Sequence, residues 1–390
     1  MANILVLGAG MVGRVIAADL AMEASHRVTI ADVREGNLAG AVEHARAHGR
    51  TVTPHRADLS DPAAVSRLAA GFDMVVGALS SRIGFAALGA VIDAGKNYVD
   101  ISFMGEDFAA MNARAKAKGV TCVVDCGVAP GMSHILSAHL AAMLEPCETI
   151  EIYVGGLPRE RRWPFEYKAA FAPSDVIEEY TRPARLVEHG KVVTREALSE
   201  PELLDFAGVG TLEAFNTDGL RSLTTSLSVP FMKEKTLRYP GHIELMRVMR
   251  ETGLFSQEPI KVGDAMVRPL DLTSTLMFPK WTYQPGEEDL TVMRVLATGV
   301  RKDGPARGSR VRVVYDLFDL YHRATQATSM SRTTAFPAAI VAREILAGRF
   351  RQPGVNAPEA IAASPGLVER ILVAHTERAV TYTFREERIS

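Results

Sequence analysis

Short apolar runs rich in β-branched residues alternate with Ala-rich stretches of helical period through residues 3–125. This rhythm predicts parallel strands, each followed by a helix that covers the sheet. Strands are predicted over residues 3–7, 27–31, 51–55, 73–78, 97–101 and 120–125, and helices over 11–24, 38–48, 62–70, 85–94 and 109–118. Gly95 and Gly119 close two of the helices, where a chain leaving a helix favours a left-handed residue. Six strands with crossovers of ordinary length make a doubly wound α/β domain of Rossmann type.

Beyond Pro130 the pattern changes. Ser133 caps a helix predicted over 134–144, which Pro146 stops. A strand over 149–154 runs into Gly155-Gly156. Residues 184–188 and 191–194 read as a hairpin about His189-Gly190, and 291–300 with 309–317 as a longer one. Further strands are expected over 212–216 and 235–239, and a helix over 243–251. Strands joined through short turns pair antiparallel, so the second domain is expected to be α+β on an antiparallel sheet. The divisions expected are 1–130, 131–332 and 333–390, the last opening with a helix over 333–347.

Gly8-Ala9-Gly10-Met11-Val12-Gly13 stands between the first strand and the first helix, the context in which such a pattern carries weight. Gly8 permits the tight turn, Gly10 lets a pyrophosphate approach the backbone, and Gly13 lets the helix pack on the sheet. The helix start at Met11 and Val12 offers unpaired N–H groups and the positive end of a dipole. Asp32, followed by Val33, ends the second strand, where a carboxylate accepts hydrogen bonds from the adenosine ribose. NAD is therefore the expected cofactor, and Arg34 leaves NADP open. Asp58 is placed for the adenine amino group, and residues 77–81, with Ala78, Leu79 and Ser80, for the nicotinamide side.

Ligands of a doubly wound sheet bind at the carboxyl ends of its strands. That rule nominates Ser80, Ser81, Asp100, Ser102 and Asp125. Asp100 is either a desolvated base or a strand-end carboxylate bonded to nearby N–H groups, and Asp125 shares the ambiguity. In the second domain Tyr167, Glu213, Arg238, Tyr239 and His242 are the polar candidates. Arg238 and Glu213 suit the two charges of a zwitterion or a structural ion pair between strands. His242 suits a helix cap, a core position or a base.

Composition narrows the setting. With 390 residues, 47% hydrophobic and 23% charged, the chain suits a two-domain globular enzyme. A formal charge of −2 argues against nucleic acid and anionic membranes as partners. Cys122, Cys126 and Cys147 are too few for a disulfide framework, and no targeting segment is visible, so the cytoplasm is the expected compartment. Cys122 and Cys126, with His134 and His139 beyond, do not have the spacing of a zinc knuckle, and no metal is expected. No nucleophile elbow or triad stands out.

The glycine motif, Asp125-Cys126-Gly127-Val128-Ala129-Pro130-Gly131-Met132 and Arg238-Tyr239-Pro240-Gly241-His242 together resemble the saccharopine dehydrogenase family, over nearly the whole chain. Tyr153-Val154-Gly155-Gly156-Leu157-Pro158, Glu166-Tyr167, Glu213-Ala214-Phe215-Asn216-Thr217 and Thr236-Leu237-Arg238-Tyr239 are similar to its lysine 6-dehydrogenase branch, and Ala129 stands where saccharopine reductases typically carry an aspartate. Lys168 and Ala172 depart from the polar types of that branch. The resemblance implies NAD-dependent oxidation of the ε-amine of L-lysine, with Asp100 or His242 as base, Arg238 as carboxylate anchor and Tyr167 as wall or donor. It also implies final helices that rejoin the first domain, and a homodimer built on the second domain's sheet. The alternatives are a reductase joining an amine to a keto or aldehyde acid, which Arg221, Arg247 and Arg332 would serve, and a non-catalytic NAD-binding sensor.

Overall fold

The computed structural model describes residues 1–169, 173–284 and 286–389. They gather into two compact units, one of Met1–His139, His322–Ala327 and Ser331–Thr381, the other of Leu140–Tyr321, Thr328–Met330 and the stretch from Tyr382 onward.

The first unit begins with β1 (Ala2–Leu7), α1 (Met11–Leu20), β2 (His26–Asp32), α2 (Glu35–Ala47), β3 (Thr53–Arg56), α3 (Pro62–Ala69) and β4 (Met74–Gly77). It continues with α4 (Ser81–Asp93), β5 (Asn97–Asp100), α5 (Asn112–Lys118), β6 (Thr121–Val123) and α6 (Met132–Ala142), whose last turn lies in the second unit. In the second unit follow β7 (Leu144–Pro158), α7 (Pro173–Thr181), β8 (Ala184–Glu188), β9 (Lys191–Arg195), β10 (Glu202–Phe206) and β11 (Gly210–Asn216). Next come α8 (Leu223–Ser226), β12 (Phe231–Arg238), α9 (His242–Glu251), β13 (Ile260–Val262), β14 (Ala265–Val267), α10 (Pro269–Trp281), β15 (Asp289–Arg301) and β16 (Arg310–Leu320). The chain closes with α11 (Ser329–Leu346), β17 (Gly354–Asn356), α12 (Leu367–Thr376) and β18 (Tyr382–Arg388).

Seven parallel strands form the first sheet, in the order β3-β2-β1-β4-β5-β6-β17. A central parallel strand is covered on both faces, and so reads as an unbroken apolar run. Ile4, Leu5, Val6 and Leu7 of β1 are fully buried, as are Met74, Val75 and Val76 of β4, at about 1.5–3 kcal/mol for each large side chain. Strand order reverses between β1 and β4, which sets the crevice for a ligand at their carboxyl ends.

The sequence pattern predicts six strands here, and the seventh comes from the C-terminal segment. Its three residues are too few to show a period. Asn356 fastens it by donating from Nδ2 to the carbonyls of Cys122, Gln352 and Gly354. Gly354 sits at φ +130°, with Asn112 Oδ1 only 2.4 Å from where a Cβ would stand. The closing segment, read as helical, thus carries two strands as well, and β18 pairs with β16 in the other sheet. Helix α1 ends at Leu20 rather than at residue 24.

The second sheet has nine strands, running β10-β11-β12-β7-β15-β16-β18, with β8 beside β12 and β9 beside β8. It is mixed rather than antiparallel, because β12 lies parallel to β7 in a register from Thr149↔Phe231 to Val154↔Thr236. Strand β7 passes straight through Gly155-Gly156, where side chains would collide. A Cβ on Gly155 would lie 2.7 Å from the Leu237 carbonyl oxygen, and one on Gly156 2.3 Å from Met330 Cε. Pro146 does not stop the preceding helix, which ends at Ala142, but lies in β7 opposite an irregularity at Gly299. The pattern also gave no sign of α7, β10, α10 or the β13–β14 hairpin. Among the described residues no helix is long and apolar enough to cross a membrane.

Candidate functional site

In the first unit the glycine loop joins β1 to α1 at the point of strand-order reversal. Gly8 adopts φ +96°, and a Cβ there would stand 2.3 Å from the Ala78 carbonyl oxygen. At Gly13 a Cβ would stand 1.9 Å from the Gly8 carbonyl oxygen and 3.3 Å from the Ala78 side chain. Both glycines are needed by the chain's own packing. Gly10 differs, since a Cβ there meets no atom of the chain within 4 Å. That bare backbone at the start of a helix is the cradle a pyrophosphate requires, so the residues fit a dinucleotide. Met11 is 39% exposed, Val12 is half-buried, and Leu79 lies beside Gly8.

Asp32 links this loop to the end of β2. Its Oδ2 accepts from the Ala9 N–H (2.9 Å) and from Asn37 Nδ2 (3.1 Å), and its Oδ1 from the Arg34 N–H (2.8 Å). Val33 and Arg34 are exposed beside it. Asp58 accepts from the Ser60 N–H and hydroxyl, and these bonds hold its carboxyl below the usual range. Ser80 is the exposed residue that precedes α4, next to half-buried Ala78 and Leu79.

At the carboxyl ends of β4 to β6 the side chains converge. Asp100 is fully buried, and its Oδ1 accepts from the Ser102 N–H (3.1 Å) and hydroxyl (2.8 Å). Its Oδ2 is buried and receives no hydrogen bond among the described residues. Gly77 makes the room, as a Cβ there would fall 1.9 Å from the Tyr98 hydroxyl and 2.4 Å from Asp100 Oδ1. Burial pushes the Asp100 carboxyl up to about 6, and the neighbouring Asp125 charge adds to the rise against the pull of Ser102. Asp125 is buried at φ +53° and opens the 125–132 motif. That motif folds on itself: the Gly127 N–H donates to the Pro130 carbonyl (3.0 Å) and the Met132 N–H to the Gly127 carbonyl (2.9 Å). Cys126 donates its backbone N–H to the Asp100 carbonyl (2.8 Å), while burial and both aspartates push its thiol well up. Cys122 is likewise pushed up by burial, to about 12, so neither thiol is a thiolate.

The second unit holds a cluster centred on Arg238, which is 3% exposed. The guanidinium donates to Glu179 (2.6 Å), to the Tyr180 hydroxyl (3.3 Å) and to the Leu237 carbonyl (2.9 Å). It lies 4.3 Å from the centroid of Tyr167, which packs in turn on His242 and Trp281. His242 donates from Nδ1 to the Phe165 carbonyl (2.8 Å) and accepts at Nε2 from the Tyr180 hydroxyl (2.9 Å). Burial and Arg238 bring its pKa down to about 3, so it stays neutral with both nitrogens engaged. This arrangement removes His242 from the candidate bases.

Glu213 and Arg238 face each other in register on β11 and β12, yet they do not form the ion pair open from the sequence. Glu213 accepts instead from the Gly241 N–H (3.0 Å). Tyr239 donates to the Pro158 carbonyl (2.9 Å) under the Arg161 guanidinium. Lys168 pairs with Glu287, while Phe171 and Ala172 lie outside the described residues. The residues not singled out from the sequence are Tyr98, Glu179, Tyr180 and Glu234. Of these, Tyr98 lay two positions before Asp100 on one strand, and so on the same face; the pattern gave no helix at α7 to carry the other pair.

Residues 4–123 match the model of the saccharopine dehydrogenase NADP binding domain, and residues 127–378 that of the saccharopine dehydrogenase C-terminal domain. Carboxynorspermidine synthase from Vibrio cholerae is 23% identical over 270 residues, covering 66% of this chain and 62% of that protein. The NADP(+), L-glutamate-forming saccharopine dehydrogenase of Pyricularia oryzae is 24% identical over 284 residues, 66% of this chain and 58% of that protein. Mitochondrial alpha-aminoadipic semialdehyde synthase of Bos taurus is 22% identical over 380 residues, 79% of this chain and 40% of that protein. The chain thus spans less than two thirds of each of these relatives. Apo saccharopine dehydrogenase (L-Glu forming) from Saccharomyces cerevisiae shares the fold, with TM-score 0.81 over 100% of both chains at 18% identity. With the NADP binding domain and its C-terminal companion both matched, the chain belongs to the saccharopine dehydrogenase family.

Proposed function

We propose that this protein oxidises the ε-amine of L-lysine with NAD, and that the imine so formed is hydrolysed to the semialdehyde with release of ammonia. The observation that carries the reading is Asp100, a buried carboxyl at the carboxyl edge of the first sheet whose Oδ2 receives no hydrogen bond among the described residues. Gly8, Gly10 and Gly13 would hold the pyrophosphate and Asp32 the adenosine ribose, and bound NAD supplies the hydride acceptor.

An ammonium cannot release hydride until it has lost a proton. Asp100 takes that proton on Oδ2; a carboxyl poised near 6 is ionised at the alkaline pH where amines are more readily deprotonated. Ser102 holds Oδ1 and so fixes the carboxylate plane. The Asp100 carboxyl is itself fully buried, so bulk water does not compete for the proton. The water that follows adds to the imine carbon, and the C–N bond breaks as ammonia leaves. The proposed setting is a cytoplasmic homodimer acting on a free amino acid.

A second reading follows the curated relatives, whose names include a carboxynorspermidine synthase and saccharopine dehydrogenases: reductive joining of an amine to a carbonyl acid. Such substrates need additional arginines, and Arg247 is held by the Leu198 carbonyl and Glu244. Arg332 donates to the Arg378 and Ala379 carbonyls. The test is NADH formation at alkaline pH with L-lysine and a panel of other amines. NADH and ammonia from L-lysine alone support deamination. NADH consumption with lysine and a keto acid, and silence on single amines, moves the protein to the joining reaction. Tight NAD binding with neither activity makes it a sensor.

A further inference from the structure

Strands β1 and β2 end at the glycine loop and Asp32, and their amino ends open on a different space. A cavity of about 880 Å³ lies there, bordered by Ala2 and His26 and walled by α11 and α12, with every lining residue in the first unit. The length of β1 sets it about 20 Å from the glycine loop. In its wall two arginines share one carboxylate. Glu344, whose side chain is 8% exposed, accepts from Arg349 Nε (2.5 Å) and Nη2 (2.9 Å) and from Arg370 Nε (3.3 Å). Arg349 and Arg370 are themselves 43% and 52% exposed. Arg349 Nη1 and both terminal nitrogens of Arg370 make no hydrogen bond among the described residues. Arg343 and Arg378, the other arginines of the wall, close on Asp19, and Arg343 on Glu23 as well.

Two guanidiniums held from behind by one buried carboxylate carry a surplus positive charge and a preformed fork of N–H donors, the arrangement that suits a phosphate or carboxylate. Helix α12 supplies the opposite charge. Glu369 and Glu377 line the same cavity about 12 Å apart along the helix axis, and neither forms an ion pair among the described residues. The lining holds four arginines and four glutamates, so it has no net attraction for a polyanion and favours a ligand whose opposite charges are separated. We propose that this cavity binds a small zwitterion, with a phosphate or carboxylate head on Arg349 and Arg370 and an ammonium group on Glu369 or Glu377. The site is separate from the dinucleotide crevice and needs neither the proposed oxidation nor its substrate.

Phosphorus NMR titration of the full chain tests this, with saturating NADH present to keep phosphate out of the glycine loop. O-Phosphoethanolamine carries both charges, inorganic phosphate carries the anion alone, and citrate serves as a polyanionic competitor. O-Phosphoethanolamine should bind about fivefold tighter than phosphate, the scale of one half-exposed charged contact, and citrate should displace it poorly. Arg370→Gln should weaken both phosphorus probes about fivefold and leave NADH affinity unchanged. Glu369→Gln combined with Glu377→Gln should bring O-phosphoethanolamine down to the affinity of phosphate, and leave phosphate no weaker. Absence of binding by either probe, equal binding of the two, ready displacement by citrate, or unchanged affinities in a folded Arg370→Gln overturns the proposal. Should Arg370→Gln not fold, the ranking of the three probes on the unmodified protein decides. Lysine turnover, present or absent, bears on the proposed reaction and not on this site.

Discussion

The Tyr180 hydroxyl donates to His242 Nε2 at 2.9 Å, while the other ring nitrogen of His242 donates to the Phe165 carbonyl at 2.8 Å. A histidine fixed this way is an internal strut. Its pKa of about 3 in the folded chain lies below the ordinary 6.5, so the unfolded chain binds the extra proton first as pH falls. Its contribution is complete above pH 6.5 and declines by up to about 1.4 kcal/mol per unit as pH drops toward 3. His242→Gln should therefore be less stable than the unmodified protein at pH 7, with the gap narrowing at pH 5. Urea unfolding at both values checks this, and a constant gap would show that His242 does not titrate as described.

Asp100→Asn should lower kcat by about a hundredfold or more, the usual worth of a general base, with NAD affinity within about twofold. In the unmodified protein kcat/KM should rise through pH 6, where Asp100 loses its proton. Steady-state kinetics across pH measure both, and retention of that rising limb in the Asn variant would remove Asp100 as the base.

Two glycines in one loop should fail differently. Gly13→Ala places a methyl 1.9 Å from the Gly8 carbonyl oxygen, so backbone must move, and the variant should lose several kcal/mol or not fold. Gly10→Ala meets nothing in the chain, so its melting temperature should stay close to the original. Its affinity for the dinucleotide should fall tenfold or more, because the methyl occupies the pyrophosphate's approach. Thermal melts with and without NAD separate the two.

Glu234 offers a test of opposite sign to His242. Its carboxyl keeps its proton to about pH 8, against an ordinary value of 4.5. Between those values the unfolded chain ionises and the folded one does not, so stability is lost as pH rises, by up to about 1.4 kcal/mol per unit. Glu234→Gln keeps the shape of the protonated form and should gain stability over the unmodified protein steadily from pH 5 to 8. Parallel unfolding curves at both ends of that range would refute it.

Much of the first unit was legible in the sequence because a central parallel strand needs apolar residues on both faces, and β1 and β4 display them as unbroken runs. The glycine loop was legible for a related reason: Gly8 and Gly13 answer to steric demands a few residues away. The second unit was harder. Its sheet is mixed because β12 lies beside β7 after a connection of more than seventy residues, and no local pattern records which way a distant strand runs. Arg238, Tyr167 and His242 could be named from their residue types, but their partners Glu179 and Tyr180 stand on α7, whose nine residues are too few for a clear period.

The two strands at the end of the chain have a consequence for how the protein is made. β17 forms one edge of the first sheet beside β6, and β18 one edge of the second beside β16. A chain made from its N-terminal side therefore completes the β6 margin only once residues 354–356 exist, and the β16 margin only once residues 382–388 exist. Until then β6 and β16 present their own backbone donors and acceptors, the kind that recruits a stray strand. A stop codon placed after α11 would therefore bare β6 in one sheet and β16 in the other, two changed margins rather than a shorter tail.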